Sequence, residues 1–341
     1  MKQLNKMQLS TWVYLLISVL LAVVPFVYDN LSMLFLIVQI FIFGIFAMSY
    51  DLLLGYTGIV SFGHAMFFGV GAYGVSIVLE RSEEPTMAVV ILGTIIALGI
   101  AAVISFIAGI LTLRLKSHFY AMLTLALAGL FLAAAEKMRD LTGGSDGLLF
   151  TVPEFFKDRT NLYLLCLSSL VVIFFLLRRV TNSPLGRVLV AIRENEQRTM
   201  SLGYKIFPYK LIISVISGVV AAFAGVLYAI SIRFIDTTVF AVDVTLDALL
   251  MTIIGGVGTL IGPVIGAGLI EYAHHFLSSE LADVHWIFER WVILFGTVYI
   301  LAVIFFPKGI VGSIQGFVNK RKIKKQEQFD KKQSEKDELA G

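Results

Sequence analysis

Charge is scarce in this chain and cysteine almost absent. Aspartate, glutamate, lysine and arginine make up 15% of its 341 residues, against about a quarter in ordinary soluble domains. That shortage excludes a solvated globular surface of the usual kind, and a net charge of +3 offers no argument for a nucleic-acid partner. The lone cysteine, Cys166, sits in an apolar run, so neither an intramolecular disulfide nor a cysteine metal cluster is available. It reads as a small buried thiol and leaves the redox compartment open. The Gly-Lys-Ser/Thr ending of a Walker loop occurs nowhere, so the chain has no recognisable ATPase of its own and is expected to bind no cofactor. The five histidines lack the His-Glu-x-x-His spacing of a metal site. His274 and His275 point to different sides of a helix with Glu271 one turn back, which reads as a rim network. No enzyme constellation is present.

What the chain has in abundance is apolar sequence: 58% of it is hydrophobic, with a mean hydropathy of +0.87. The charges are confined to short stretches between long apolar runs. A run of about 20 apolar residues spans a bilayer as a helix, the backbone then satisfying itself where no water is available. Ten such segments can be drawn, at 10–28, 31–54, 58–79, 87–113, 117–135, 161–179, 209–232, 243–256, 259–275 and 289–306. The first follows Lys2 and Lys6 but shows no small-x-small cleavage pattern, so it is expected to stay as a membrane helix. Basic residues mark the cytoplasmic side of short loops. Arg178, Arg179, Arg187, Arg193, Arg198, Lys205 and Lys210 crowd 178–210, Arg114 and Lys116 form another basic turn, and the tail opens with Lys320-Arg321-Lys322. The stretches 80–84 and 276–290 are acidic. Ten spans satisfy every loop, whereas reading 243–275 as one helix would put the lysine-rich tail outside. The expected architecture is therefore an all-α polytopic membrane protein of about ten helices, one or two short or re-entrant, with both termini cytoplasmic. Residues 1–9 form the cytoplasmic N-terminus and 10–306 the membrane domain, with a cytoplasmic segment at 180–208 and an outer loop at 136–160. Residues 307–341 form a charged tail that suits a frayed cytoplasmic segment near anionic headgroups.

Four motifs stand out. The first, Gly55-Tyr56-Thr57-Gly58 through Ser61, Gly63, His64 and Gly74, is glycine-rich enough for close helix contact. Ser61 and His64, three apart, are expected to share a helical face. His64 either bonds a neighbouring carbonyl or belongs to a pathway or gate, since an ionisable group within a span is a functional hypothesis by default. Asp51, near the inner end of its span, carries the same two readings. The second motif, Thr142-Gly143-Gly144-Ser145-Asp146-Gly147, lies in the outer loop, where Ser145 and Asp146 can bond backbone amides and fix a turn. It forms either a simple turn or a lip of the outer mouth that docks a partner. The third runs from Ser183-Pro184-Leu185-Gly186-Arg187 to Arg193-Glu194-Asn195-Glu196 and then Gly203. Ser183 caps and Pro184 opens a helix. Leu185, Val188, Leu189 and Ile192 mark one face, so a short amphipathic cytoplasmic helix, lying on the surface or inserted into a soluble partner, is expected over 184–200. The fourth, Gly255-Gly256-Val257-Gly258-Thr259 to Gly262-Pro263 and Gly266, breaks and bends the chain. Its likeness to the first glycine cluster suggests a weak internal echo of the kind transporters place near a midplane pathway.

Taken together, Ser-Phe-Gly-His, Thr-Gly-Gly-Ser-Asp-Gly-Leu, Ile-Arg-Glu-Asn-Glu and Gly-Gly-x-Gly-Thr-x-x-Gly-Pro, in this order, resemble the permeases of branched-chain amino acid ABC importers, and most closely the LivM-type subunit. The resemblance extends from the second span to Pro307-Lys308-Gly309. It implies a permease subunit in a bacterial plasma membrane that works with a second homologous permease, two ATP-binding subunits that use the ATP, and an extracytoplasmic substrate-binding protein. It also implies coupling to the ATPases through 184–200, with Gly186, Arg187, Arg193, Glu194, Asn195 and Gly203, and a pathway or gate at Ser61, Gly63, His64, Gly255, Gly256 and Gly258. The outer mouth would hold Thr142, Gly143, Gly144, Ser145 and Asp146. One departure is that the Glu-Ala-Ala-x-x-x-Gly coupling motif is absent, Glu194 and Gly203 lying nine positions apart. Alternative readings are a related ABC permease for urea or another small solute, and a self-contained secondary transporter. The latter would need paired acidic residues within spans, which the sequence is not expected to supply.

Overall fold

The computed structural model describes residues 2–27, 30–115 and 117–279, with isolated positions at 296, 309, 310 and 312. Apart from those positions, the expected span 289–306 and the charged tail lie outside the described residues. The helices are α1 (Lys2–Val27), α2 (Leu31–Thr57), α3 (His64–Glu80), α4 (Met87–Thr112), α5 (Ser117–Lys137), α6 (Arg139–Thr142), α7 (Glu154–Lys157), α8 (Arg159–Thr181), α9 (Pro184–Glu194), α10 (Glu196–Ser201), α11 (Ile206–Ile232), α12 (Val242–Gly255) and α13 (Ile261–Ser279). Among the described residues, α2, α4, α8, α11 and the 118–137 stretch of α5 are long and apolar enough to cross a bilayer. The apolar stretches Tyr14–Val27 and α3 are shorter.

Local chemistry places the ends of these helices. Asn30 caps α2 by accepting from the amides of Ser32 and Met33, and Gly58 ends it in the left-handed conformation at φ 72°. Asp158 caps α8 through Thr160 N–H, and Ser183 and Pro184 begin α9 as expected. The all-helical expectation has one exception. Leu148–Leu149 (β1) pairs antiparallel with Phe234–Ile235 (β2), joining the loop after α5 to the end of α11.

Packing sorts the helices into an inner and an outer set. The most apolar windows of α2 and α11 are 61% buried, whereas those of α4 and α5 are 22% buried. The outer helices turn Ile91, Ile95, Val103, Phe106, Phe119 and Met122 outward, as a surface in contact with lipid tails would. The inner crossing of α3 with α11 is close because both helices present glycine. A Cβ on Gly71 would lie 1.9 Å from Ala222 O, and one on Gly225 2.0 Å from Phe68 O. Rings fill the rest of this centre: Phe46 and Phe68 lie 4.8 Å apart, and Phe68 and Tyr228 5.3 Å apart. The α4–α5 turn and the α8–α11 connection, with Arg114, Arg187, Arg193, Arg198 and Lys205, lie at one end of the bundle, called here the basic end. The 81–86, 138–158 and 233–241 connections lie at the far end.

Candidate functional site

A buried polar network lies at the basic end, around Asp51. This residue is fully buried in the last two turns of α2. Its Oδ1 accepts from Gly258 N–H at 2.7 Å and its Oδ2 from Leu260 N–H at 3.3 Å. One carboxylate thus holds the link between α12 and α13, whose backbone takes left-handed conformations at Gly258 (φ 80°) and even at Leu260 (φ 54°). The stretch 243–275 is therefore two helices packed as a hairpin. They approach so closely that a Cβ on Gly255 would lie 1.8 Å from Gly262 O, and one on Gly266 1.8 Å from Met251 O. Asp51 has the structural bond that was one of its two sequence readings.

The amphipathic cytoplasmic helix reaches the same point. Its face is buried as the periodicity predicts, with Leu189 and Ile192 at 0% and 1% exposure. It is not continuous over 184–200, however. Asn195 stands in an extended conformation, ends α9, and starts α10 by accepting Arg198 N–H at 2.9 Å. An Asn side chain that satisfies the first free amide of a new helix competes well with continuing the old one. The guanidinium of Arg193 donates to Gly55 O on α2, and the spacing leaves only 3.2 Å between Arg193 Nη1 and a Cβ placed on Gly258. Arg193 thus bonds into the membrane domain through its guanidinium while, like Glu194 and Asn195, remaining exposed at the end of α9. Gly186 abuts the α8 terminus, where a Cβ would lie 2.0 Å from Thr181 O. Arg187 is exposed on the flank of a cleft closed by Thr199, Leu202, Tyr204 and Tyr209. Gly203 forms the turn after α10 at φ 89°. Glu196 pairs with Lys210 of α11.

Ser61 and His64 do not share a helical face. Gly58 ends α2 and α3 begins only at His64, so Ser61 belongs to a non-helical stretch inside what the sequence suggests as one segment at 58–79. The free amides before and at the start of α3 are met from other helices. Thr124 Oγ1 of α5 accepts Phe62 N–H at 3.2 Å, Ser61 Oγ accepts Gly63 N–H at 3.3 Å, and Thr245 Oγ1 of α12 accepts Ala65 N–H at 2.8 Å. Gly63 passes so near α5 that a Cβ would lie 2.3 Å from Thr124 O. His64 is fully buried between Phe46, Tyr50 and Phe67. Ser49 has one hydroxyl proton and gives it to Phe46 O at 2.6 Å, so in its 2.9 Å contact with Ser49 the His64 Nε2 is the donor. Nδ1 then carries a lone pair that meets no donor. The bond His64 makes is to a hydroxyl, not to the expected carbonyl. Ser217 of α11 donates to Ser49 O at 2.5 Å, which ties α11 to the same turn of α2.

In the far-end loop, Thr142 holds the turn. Its Oγ1 lies 2.5 Å from Ala135 O and accepts Gly144 N–H at 3.3 Å, with Gly143 and Gly144 left-handed. Ser145 and Asp146 are exposed, and the turn does not depend on side-chain bonds from them, contrary to expectation. Asp247 of α12 and Glu271 of α13 are both partly buried, and the Asp247 charge acts on Glu271 across the hairpin. The two lie 24 positions apart in the sequence.

The profile of the family described as the branched-chain amino acid transport system permease component matches residues 32–304. The high-affinity branched-chain amino acid transport system permease protein LivM of Salmonella typhimurium is 25% identical over 302 residues, 79% of this chain and 68% of that protein. The probable branched-chain amino acid transport permease protein LivM of Methanocaldococcus jannaschii is 26% identical over 314 residues, 78% of this chain and 89% of that protein. The LivM protein of Escherichia coli is 25% identical over the same coverage as that of Salmonella. No solved structure matches the chain significantly.

Proposed function

Because the chain belongs to the family of branched-chain amino acid transport permeases, we propose that it is the membrane subunit of an ABC importer that passes branched-chain amino acids across a bilayer by alternating access. ATP hydrolysis belongs to partner subunits. A second homologous permease completes the pathway, two ATP-binding subunits dock at the basic end, and an extracytoplasmic binding protein delivers the solute at the far end. The membrane is the bacterial plasma membrane. The described helices and the stretch 289–306 together make about ten spans, with both termini on the cytoplasmic side.

The observation that carries this reading is the bond of Arg193 to Gly55 O, its Nη1 lying 3.2 Å from where a Cβ on Gly258 would stand, beside the Asp51 bonds to Gly258 and Leu260. A push on α9 reaches, through one side chain, the end of α2 and the link of the α12–α13 hairpin together. Mechanical coupling needs such a joint, a packed and hydrogen-bonded element that moves as a unit. Arg187, Glu194 and Asn195 remain on the outer side of α9 for a partner cleft, and Gly203 supplies the turn that returns the chain to α11. Inward of the joint, the non-helical stretch with Ser61 and Gly63, the His64 turn of α3, and Gly255 and Gly256 form the section that repacks. Its tight glycine contacts have two discrete arrangements more readily than a continuous range. Thr142, Gly143, Gly144, Ser145 and Asp146 form the far-end lip, with Ser145 and Asp146 exposed where a delivery protein would sit.

The test is reconstitution with the second permease, both ATPases, the binding protein and ATP, measuring uptake of leucine, isoleucine, valine and urea. Uptake of the three amino acids but not urea is expected. Exchange of Arg193 and Glu194 should leave ATP hydrolysis running while uptake falls. Uptake that stays tied to hydrolysis in those variants would remove α9 as the coupling element.

A further inference from the structure

A second site lies at the far end, remote from the Asp51 joint. A cavity of about 650 Å³ opens between the ends of α2, α8, α11 and α13, within the size range of small-molecule sites. Three polar groups in its wall are buried and have atoms with no partner among the described residues. Both amide atoms of Gln39 lack a partner although the residue is only 7% exposed, Ser231 Oγ lacks one at 8% exposure, and Arg233 Nε lacks one while its Nη2 donates to Phe156 O at 3.0 Å. Gln39 lies eight residues into α2, so it is about 12 Å deep along that helix. Unsatisfied buried groups are rare in folded proteins because each one has lost its water without replacement. Three on one wall of a cavity are groups waiting for something to enter it. Glu271 lines the same wall, with Leu34, Val38 and Leu162 supplying apolar surface.

We infer that this cavity is a transit subsite for a zwitterionic aliphatic amino acid. Arg233 and the Gln39 amide take the carboxylate, Glu271 and the Gln39 carbonyl take the ammonium, and the leucine and valine side chains take the aliphatic part. The inference rests on the permease reading and deepens it. Arg159, His274 and His275 line the cavity as well, so its wall carries basic side chains together with the Glu271 carboxylate, groups of both signs as a zwitterion requires. A fatty acid would leave Glu271 facing a methylene chain, and an amine would leave Arg233 uncompensated. The immobilised guanidinium suits the site, since its fork is already held by Phe156 O and loses little freedom on binding.

The test uses the complete importer in proteoliposomes, with Ser231→Cys placed in the wall and Cys166→Ala removing the buried native thiol. A small charged thiol reagent is applied at the far-end face, with and without leucine. The cysteine is expected to react, and leucine at ten times its half-protecting concentration is expected to slow the reaction about tenfold. Glu271→Gln or Arg233→Gln should raise the half-protecting concentration by about 10- to 100-fold, the range for losing a charged hydrogen-bond partner. Isocaproate, which lacks the ammonium, should protect weakly and be unaffected by Glu271→Gln. Gln39→Cys serves where Ser231→Cys does not assemble. An unreactive cysteine, or one that reacts equally fast with leucine, overturns the subsite while leucine uptake by the unmodified importer continues. Absence of that uptake instead overturns the permease reading beneath it.

Discussion

The two ends of this bundle treat buried polar groups in opposite ways. At the basic end, the Asp51 carboxylate has both oxygens bonded, and the amides of Gly258 and Leu260 and the carbonyl of Gly55 are answered by named partners. At the far end, Gln39, Ser231 and Arg233 Nε line a cavity with polar atoms that have no partner among the described residues. A fully satisfied network strengthens its own members and holds one geometry. An unsatisfied one costs stability in the empty state and is relieved by a ligand. On the function proposed above, the contrast would separate a part that transmits motion from a part that receives cargo.

Substitutions at the two ends should therefore differ in sign. Asp51→Ala leaves two backbone amides buried without acceptors, and a loss of about 2–5 kcal/mol is expected, seen as a sharp fall in the melting temperature of the purified protein. Asp51→Asn keeps an acceptor and should fall between it and the native chain. Gly255→Ala forces a methyl group against Gly262 O and should cost about 1–3 kcal/mol, with uptake lost before the fold is. Gln39→Leu does the reverse. Replacing an unpaired buried amide by an apolar group of similar size should raise stability by about 1 kcal/mol while slowing leucine uptake, and a lower melting temperature for this variant would erase the contrast. Smallest of all, Ser49→Ala removes the His64 bond and should cost about 1 kcal/mol, read by thermal unfolding, without altering the ratio of ATP hydrolysed to solute moved.

Much of the fold was legible in the sequence. Segments drawn from hydropathy at 31–54, 87–113, 117–135, 161–179 and 209–232 fall within a few residues of α2, α4, α5, α8 and α11, because apolar length and capping residues are local properties. The buried face of α9 was legible for the same reason. Breaks were harder to place. The 58–79 run carries no proline or charge to mark where α3 begins. The opening stretch stays non-helical because Thr124 and Thr245, from other helices, satisfy amides that a continuous helix would have bonded internally. The Asn195 interruption was written in the chain as an N-cap residue followed by Glu196, but the amphipathic pattern around it hid the signal. The site was legible as motifs and not as contacts. Both glycine clusters were visible, whereas the Arg193 bond to Gly55 and the Asp51 bonds to Gly258 and Leu260 were not.

Composition and run length alone determined that this chain belongs in a membrane and where several of its long apolar helices run. Those follow from interactions between a residue and its surroundings, which summation along the chain captures. Only the tertiary structure decided that Asp51 would bond amides 207 and 209 positions away, and that Gln39, Ser231, Arg233 and Glu271 would meet around one space. Partnership between distant polar groups depends on how helices cross and at what depth, and sub-ångström differences in that packing separate a bonded group from an unpaired one.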